Sequence, residues 1–393
     1  MRDAVIVAAV RTPIGKRAGT LSTVHPVDLS ATVLEALLAR TAVDPAAVDD
    51  VIWGCVSQAG EQAGNVGRLS VLAAGWPESV PGTTVDRACG SSQQAVHFAA
   101  AGVLAGQYDL VVAGGVESMS RVPMGSTRQN GPGLPYGPLV RARYRDTVGE
   151  DQEFSQGIAA ELLAGRWRLS RSELDEFALT SHQRAAAAVD AGEFDDEIVP
   201  VAVVQETGGD PAVVRRDEGV RRDSTLAALG KIRPAFRENG VITAGNSSQI
   251  SDGAAAVLIT TTDRARALGL TPLVRFHSFA VTGVDPVSML LGPIPATEKV
   301  LGRAGIPLSD IGVYEVNEAF ATVTCGWLRE TGADPAKLNP RGGAIALGHP
   351  LGCSGARLLT SLVSQMVDRK HQYGLQTMCE GGGMANATVL ELV

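Results

Sequence analysis

One pattern occurs twice in this chain. TTVDRACGSSQQAVHFAAAGVLAG (83–106) and LNPRGGAIALGHPLGCSGARLLTSLV (338–363) each run from strand-like residues through a small-residue turn into an apolar helix. A second shared unit stands ahead of each. DPAAVDDVIWGCV (44–56) and IPLSDIGVYEVNEAF (306–320) each carry a proline-bearing turn, an acidic residue and then a strand. A chain that repeats such units at both ends is built from two similar halves. Buried strands alternating with helices point to an α/β layered architecture. Residues 5–10 read as a first buried strand. Val33, Leu34, Leu37 and Leu38 mark one face of the helix that follows, with Asp28 as its expected N-cap.

The character changes between the halves. RQNGPGLPYGPLVRARYRD is rich in Gly, Pro and Arg, SRSELDEFALTSHQRAAAAVDAGEF is a helix opened by a capping box (Ser170 with Glu173), and RRDEGVRRDS adds arginines. This reads as an inserted lid or loop domain, and TAGNSSQISDGAAAVLI (243–259) returns to core sequence. The expected division is 1–119 plus 246–270 for the first half, 120–245 for the insertion and 271–393 for the second half.

A formal charge of −8 argues against nucleic acid as partner, because no basic field exists to displace counterions. An anionic small ligand would need a local basic patch. The five cysteines are odd in number and lack C-x-x-C spacing, which favours neither a disulfide framework nor zinc, and no metal is expected. The N-terminus reads as strand and turn rather than signal peptide, and no apolar run approaches membrane-spanning length. The expected setting is the cytoplasm, with no membrane partner.

Cys89 stands between a β-branched strand and an apolar helix, flanked by Gly90, Ser91 and Ser92. A helix N-terminus lowers a thiol pKa, and small neighbours clear access to sulfur, so a nucleophile is favoured over a buried structural cysteine. Cys379 abuts three glycines, 381–383. Glycine loses the most entropy on ordering, so three together suggest backbone amides approaching something closely. Cys379 reads as a core cysteine or as a second reactive thiol, with a redox pair as rival. His349, between Gly348 and Pro350, has its backbone held extended by the proline. An i, i+4 metal pair with Cys353 is disfavoured, because no further ligands cluster nearby. Asn317 follows a strand, where α/β sites gather, and an ordinary N-cap explains it equally well. A thiol, an imidazole and bare amides together suit chemistry at a carbonyl. His25, His97, His182, His277 and His371 read as structural or surface residues.

CGSSQQA, GGVESMS, TAGNSSQISDGAAA, NEAFA, GGAIALGHPLGCSGAR and CEGGG together resemble the thiolase family, in family order and across nearly the whole chain. The resemblance implies two βαβαβαββ halves in an α/β/α/β/α arrangement with an inserted loop domain. It implies an acetyl-CoA C-acyltransferase that cleaves a 3-ketoacyl-CoA to acetyl-CoA and a shortened acyl-CoA, or runs the Claisen condensation in reverse. Cys89 would be the acylated nucleophile and Cys379 the acid/base. His349 would activate Cys89 and, with a water on Asn317, form one oxyanion hole. The amides of Cys89 and Gly381 would form the other. Ser248 would contact the pantetheine arm and Arg221 the nucleotide of coenzyme A, a cosubstrate; no tightly bound cofactor is implied. A homodimer or homotetramer is expected.

Asp86 stands where many members have Asn, Ser92 where many have Gly, and Gln156 near a Met of short-chain members. These departures leave room for longer or bulkier acyl chains. Two alternatives remain: an acetoacetyl-CoA-forming acetyltransferase, and a non-catalytic CoA-binding relative. Cys89, His349, Asn317 and Cys379 argue against the latter. A decarboxylating ketoacyl synthase would carry a second histidine where Asn317 stands.

Overall fold

A computed structural model describes residues 2–129, 133, 135–148, 154–204 and 210–393. The expected inserted loop falls outside the described residues at 130–132, 134, 149–153 and 205–209. Five longer strands belong to the first half: β1 (Val5–Arg11), β2 (Asp50–Gly54), β3 (Gly82–Val85), β4 (Leu110–Ser118) and β5 (Ser251–Thr260); Gly15–Lys16 adds a two-residue strand beside β5. Their spatial order is β3-β2-β4-β5-β1. The second half supplies β6 (Val274–Gly283), β7 (Val313–Val316), β8 (Tyr373–Glu380) and β9 (Met384–Leu392), in the order β7-β8-β9-β6.

The orientations repeat as well. β2 lies parallel to β4, then β5 and β1 follow antiparallel. β7 lies parallel to β8, then β9 and β6 follow antiparallel. A single parallel bridge from Tyr314 to Leu338 takes the place that β3 holds beside β2. The strands of the two halves pair at Val5 with Arg275 and Ile6 with Val274, so β1–β9 belong to one sheet, while Val201–Val203 and Ala212–Val214 form a separate two-stranded sheet in the insertion.

The helices fall into three layers. α1 (Pro26–Thr41) and α2 (Val66–Ala73) cover one face of the first half, with Leu34, Leu37 and Val71 packed on Val51, Trp53 and Val112. α3 (Ser91–Ala105) lies on the other face. In the inserted segment, α4 (Gln156–Arg166) and α5 (Arg171–Asp190) follow. α6 (Pro293–Ala304) and α7 (Ala321–Thr331) cover the far face of the second half, around Trp327, Leu375 and Val389. α8 (Leu351–Arg369) joins α3 in the middle, where Val96, Ile52 and Val257 share one core with Leu359, Val313 and Leu390. This is the α/β/α/β/α layering. The middle helices approach closely because Gly355 lacks a side chain; a Cβ there would overlap the backbone nitrogen of Gln93. β4 and β5 are buried at every residue, which explains their unbroken runs of small apolar residues.

Local signals fared unevenly. The capping box is formed: Glu173 N donates to Ser170 Oγ (3.2 Å), and Ser170 N donates to Glu173 Oε2 (2.7 Å). Asp28 is not the N-cap of α1. Proline at the first helical position starts the helix earlier, and His25 Nδ1 accepts from Val27 N at 3.2 Å. Asp28 lies in the first turn, where its charge favours the helix dipole.

His97 of α3 is buried in the middle layer. Its Nδ1 accepts from Asn386 Nδ2 (3.1 Å), so its Nε2 donates to Thr388 Oγ1 (2.8 Å). Burial, aided by Arg87, holds its pKa down at about 3. A histidine lowered in the folded state adds stability that is full above its unfolded pKa and is lost as pH falls through 6.5 towards 3. Buried carboxyls such as Glu315, raised to about 7, act in the opposite sense. A difference measurement therefore isolates His97. In His97→Gln, the stability lost between pH 7 and pH 5 should be about 2 kcal/mol smaller than in the parent, read from urea unfolding at both pH values. An unchanged difference would refute the neutral buried state.

Candidate active site

β3 ends at Val85, and the chain turns through 86–90 into α3. Ala88 takes a left-handed φ of +45°, a strained value for a residue with a Cβ. The turn holds it there. Asp86 Oδ1 accepts from Ala88 N (2.8 Å), while Ser91 Oγ accepts from Arg87 N (2.9 Å) and donates to Ala88 O (2.6 Å). Cys89 follows, 2% exposed, among Met119, Leu351 and Met378. Gln156 Nε2, from the start of α4, stands 3.9 Å from its sulfur, and the Gly381 amide also hydrogen-bonds it.

Cys379 and Glu380 end β8, paired with Ala385 and Met384 of β9. The three glycines are the hairpin turn between these strands. Gly382 and Gly383 have φ of +84° and +82°, which the turn itself requires, and Gly383 also meets the close-approach expectation, since a Cβ there would overlap Val284 O. Only Gly381 keeps an ordinary φ and turns its amide to the Cys89 sulfur.

His349 enters from the second repeated turn. Its backbone N–H donates to Gln249 O (3.1 Å) and Ser251 Oγ (3.2 Å). Ser354 Oγ donates to Pro350 O (2.8 Å), so it must accept from His349 Nδ1 (2.6 Å). That places the ring proton on Nδ1 and leaves the Nε2 lone pair facing Asn317 Nδ2 at 3.4 Å. Asn317 is anchored by its N–H to Thr377 O (3.0 Å). It caps no helix, since α7 starts after Phe320. Its Oδ1 is buried without a partner.

Residues 246–251 tie these pieces together. Ala321 N donates to Asn246 O (2.9 Å) and Ser248 N to Ala319 O (3.0 Å), which sets half-buried Ser248 against the 317–321 turn. Gln249 Nε2 donates to Gly219 O (2.9 Å) and Ile345 O (2.8 Å). Arg221, close by in sequence, is exposed, and its N–H donates to His182 Nδ1 (3.1 Å).

Burial dominates the titration of the site. The Cys89 thiol is pushed up to about 12 by burial and by the Glu380 carboxylate, against weaker help from Gln156 and the Gly381 amide. The expected lowering by the helix terminus is therefore overturned: desolvation outweighs the dipole. Cys379 is driven well above the ordinary thiol value by burial, Cys89 and Glu380. Burial and Arg357 lower His349 to about 3, so its imidazole is neutral. The resting site holds two protonated thiols and one neutral base. Among the described residues, no three His, Cys, Asp or Glu side chains are grouped to hold a metal. No described helix is long and apolar enough to cross a membrane.

Two glycine-lined turns from opposite halves thus bring a thiol and an imidazole to one end of the middle helices. The sequence carries the matching signature: residues 4–263 match the family model described as thiolase, N-terminal domain, and residues 270–392 match thiolase, C-terminal domain. The chain belongs to the thiolase family. It is 50% identical over its whole length to the steroid 3-ketoacyl-CoA thiolase of Mycobacterium tuberculosis, covering 94% of that protein. It is 46% identical to the 3-ketoacyl-CoA thiolase of Bacillus subtilis, over the full length of both. Its fold superposes on the crystal structure of the Bacillus anthracis acetyl-CoA acetyltransferase with a TM-score of 0.90, at 38% identity, covering 100% of this chain and 99% of that one. This thiolase is accordingly an acyltransferase enzyme.

Three carboxyls of the thiolase site escaped the sequence reading. Glu117 accepts from Val56 N (3.0 Å), Ser57 N (3.0 Å) and Gly352 N (2.8 Å), pinning the start of α8 to the first half. Glu318 accepts from Ser181 Oγ (2.7 Å), Asn339 Nδ2 (2.9 Å) and Ile345 N (3.2 Å), binding α5 to both second-half turns. Glu380 is the third. The one signal for Glu380 was a charged residue at the end of an otherwise uncharged strand, and Glu318 had none of that kind, since Glu315 lies in the strand before it.

Proposed function

We propose that this thiolase cleaves a 3-ketoacyl-CoA, with Cys89 carrying the acyl group. The observation that supports it best is that Cys89 and His349 stand at the N-terminal ends of two helices whose first turns pack together, with the Nε2 lone pair of a neutral imidazole facing the Asn317 amide. In this reading His349 Nε2 takes the Cys89 proton as the sulfur attacks the keto carbon. The imidazolium then donates from Nε2 to one oxyanion, together with a water on Asn317. The amides of Cys89 and Gly381 serve the other oxyanion. The carbon–carbon bond breaks, its electrons pass to the acetyl-CoA enolate, and the Cys379 thiol protonates that carbon. The Cys379 thiolate next removes the proton of incoming CoA. The CoA sulfur attacks the acyl thioester, and the Cys89 sulfur leaves, taking its proton back from His349.

Every proton and acyl group moves on these side chains, so the scheme calls for CoA as cosubstrate and no tightly bound cofactor. Ser248 and Arg221 are proposed to receive the pantetheine arm and the nucleotide. The domain division follows the same reading: 1–119 with 246–270, the insertion 120–245, and 271–393, since β5 re-enters the first-half sheet between β4 and β1. A cytoplasmic homodimer or homotetramer completes the proposal.

Gln156 sets the acyl preference. Its amide reaches the Cys89 sulfur and lies beside Gly381, at the point where the acyl chain would leave the nucleophile. We expect kcat/KM for long or bulky 3-ketoacyl-CoAs to exceed that for acetoacetyl-CoA by about tenfold or more, the scale of a few buried methylenes. A chain-length series measures it. The reverse order would favour the acetoacetyl-CoA-forming reading.

A further inference from the structure

One carboxyl of the site bridges the two halves without a role in the scheme above. Glu117 leaves β4 one residue before its end and is fully buried. Its Oε1 accepts from Ser57 N (3.0 Å) and Gln62 Nε2 (2.8 Å), and its Oε2 from Val56 N (3.0 Å) and Gly352 N (2.8 Å). A carboxylate offers about four acceptor positions, and these neutral donors fill them. Burial raises the Glu117 pKa and the donors oppose the rise; an added proton would have to face an N–H.

The donors at 56, 57 and 62 belong to the first half and are fixed there. Gln62 Nε2 also donates to Ser57 O (2.9 Å), and its Oε1 accepts from Ser118 N (2.7 Å). The remaining donor, Gly352 N, comes from the second half. It stands in the first turn of α8, just after His349 and Pro350, where the helix itself supplies no acceptor. The fit is close: a Cβ on Gly352 would stand 2.5 Å from Val116 O and 2.7 Å from Cys55 Cα. The same contact borders the nucleophile, since Val56 and Leu351 both pack in the Cys89 cluster.

We propose that Glu117 is a positioning residue for acylation: through Gly352 it fixes the His349 turn against the Cys89 pocket, so that the imidazole meets the thiol aligned for proton transfer. Without this tie the turn stays held at His349 N by Gln249 O and Ser251 Oγ, and α8 stays docked through Ala356 N on Ser92 Oγ (2.9 Å). The turn therefore tilts rather than unfolds. A misplacement of about 1 Å costs about a hundredfold in rate. This inference rests on the reading that Cys89 is the acylated nucleophile and His349 its base.

The test follows acylation of Cys89 by excess 3-ketooctanoyl-CoA, read by intact mass from seconds to hours. Glu117→Gln keeps the size but turns an NH2 group onto two of the donors. Glu117→Asp draws both oxygens back by one methylene. Each should acylate about a hundredfold slower, with CoA binding by titration within a few-fold of the parent. Both substitutions are then made in His349→Ala. There they should change the residual rate by less than about threefold, because the group they misplace is gone. An equal loss in both backgrounds overturns the proposal, as does a parent-like rate in either folded variant. Circular dichroism and melting curves report the fold. Loss of the fold in both variants would make Glu117 a stability residue and overturn the proposal too. An acyl group on Cys89 of the parent keeps the acyl-cysteine reading standing whatever the variants show.

Discussion

Replacing Cys89 with alanine should lower thiolysis by about four orders of magnitude or more and abolish the acyl adduct seen by intact mass after mixing with a 3-ketoacyl-CoA. The size follows from the division of labour. With the sulfur gone, His349 keeps its lone pair and the Gly381 amide keeps its direction, but nothing accepts the acyl group. Water or CoA would have to attack directly at a site arranged for a sulfur at Cys89. The fold should survive. Cys89 sits in a small cluster with Met119, Leu351 and Met378, and truncation of one sulfur there should cost about 1 kcal/mol. Circular dichroism and a melting curve separate lost chemistry from lost structure. An adduct of the same mass on the alanine variant would mean that another residue is the nucleophile.

Much of this architecture was legible because it is local and repeated. The two strand–turn–helix units announced the halves, and the turns that carry Cys89 and His349 stood out within them. What escaped was tertiary. Glu117 binds Gly352 and Glu318 binds Ser181 across long sequence gaps, and no periodicity reports such partners. The thiol pKa was misjudged for the same reason. A helix N-terminus can be read from the residues around Cys89, whereas its complete burial comes from elements far along the chain, and burial is the stronger effect. The three glycines were read in part. Gly383 does approach another backbone closely, at Val284 O, but Gly382 meets nothing and only turns the hairpin, a local requirement visible once β8 and β9 are known to pair.

Replacing Cys379 with alanine should lower kcat by about two to four orders of magnitude in both directions, while CoA binding stays within a few-fold of the parent. The argument starts from its protonation. A thiol held far above its ordinary pKa is SH at neutral pH, the form that can protonate an enolate as the carbon–carbon bond breaks. Once it has done so, the same pressure makes the thiolate a strong base for the proton of incoming CoA. One buried sulfur thus serves two opposite transfers, and the high pKa drives the second as much as it prepares the first. Alanine removes both. Thiolysis should then stall before cleavage, and Cys89 acylated from an acyl-CoA should persist, since no base activates the CoA that would release it. Ser248 and Arg221, the proposed CoA contacts, lie on other segments, so a binding titration with CoA should be nearly unaffected. The two variants are therefore distinguished by mass as well as by rate: no adduct without Cys89, a long-lived adduct without Cys379. Turnover within about tenfold of the parent in Cys379→Ala would show that proton transfer at this site runs through another group.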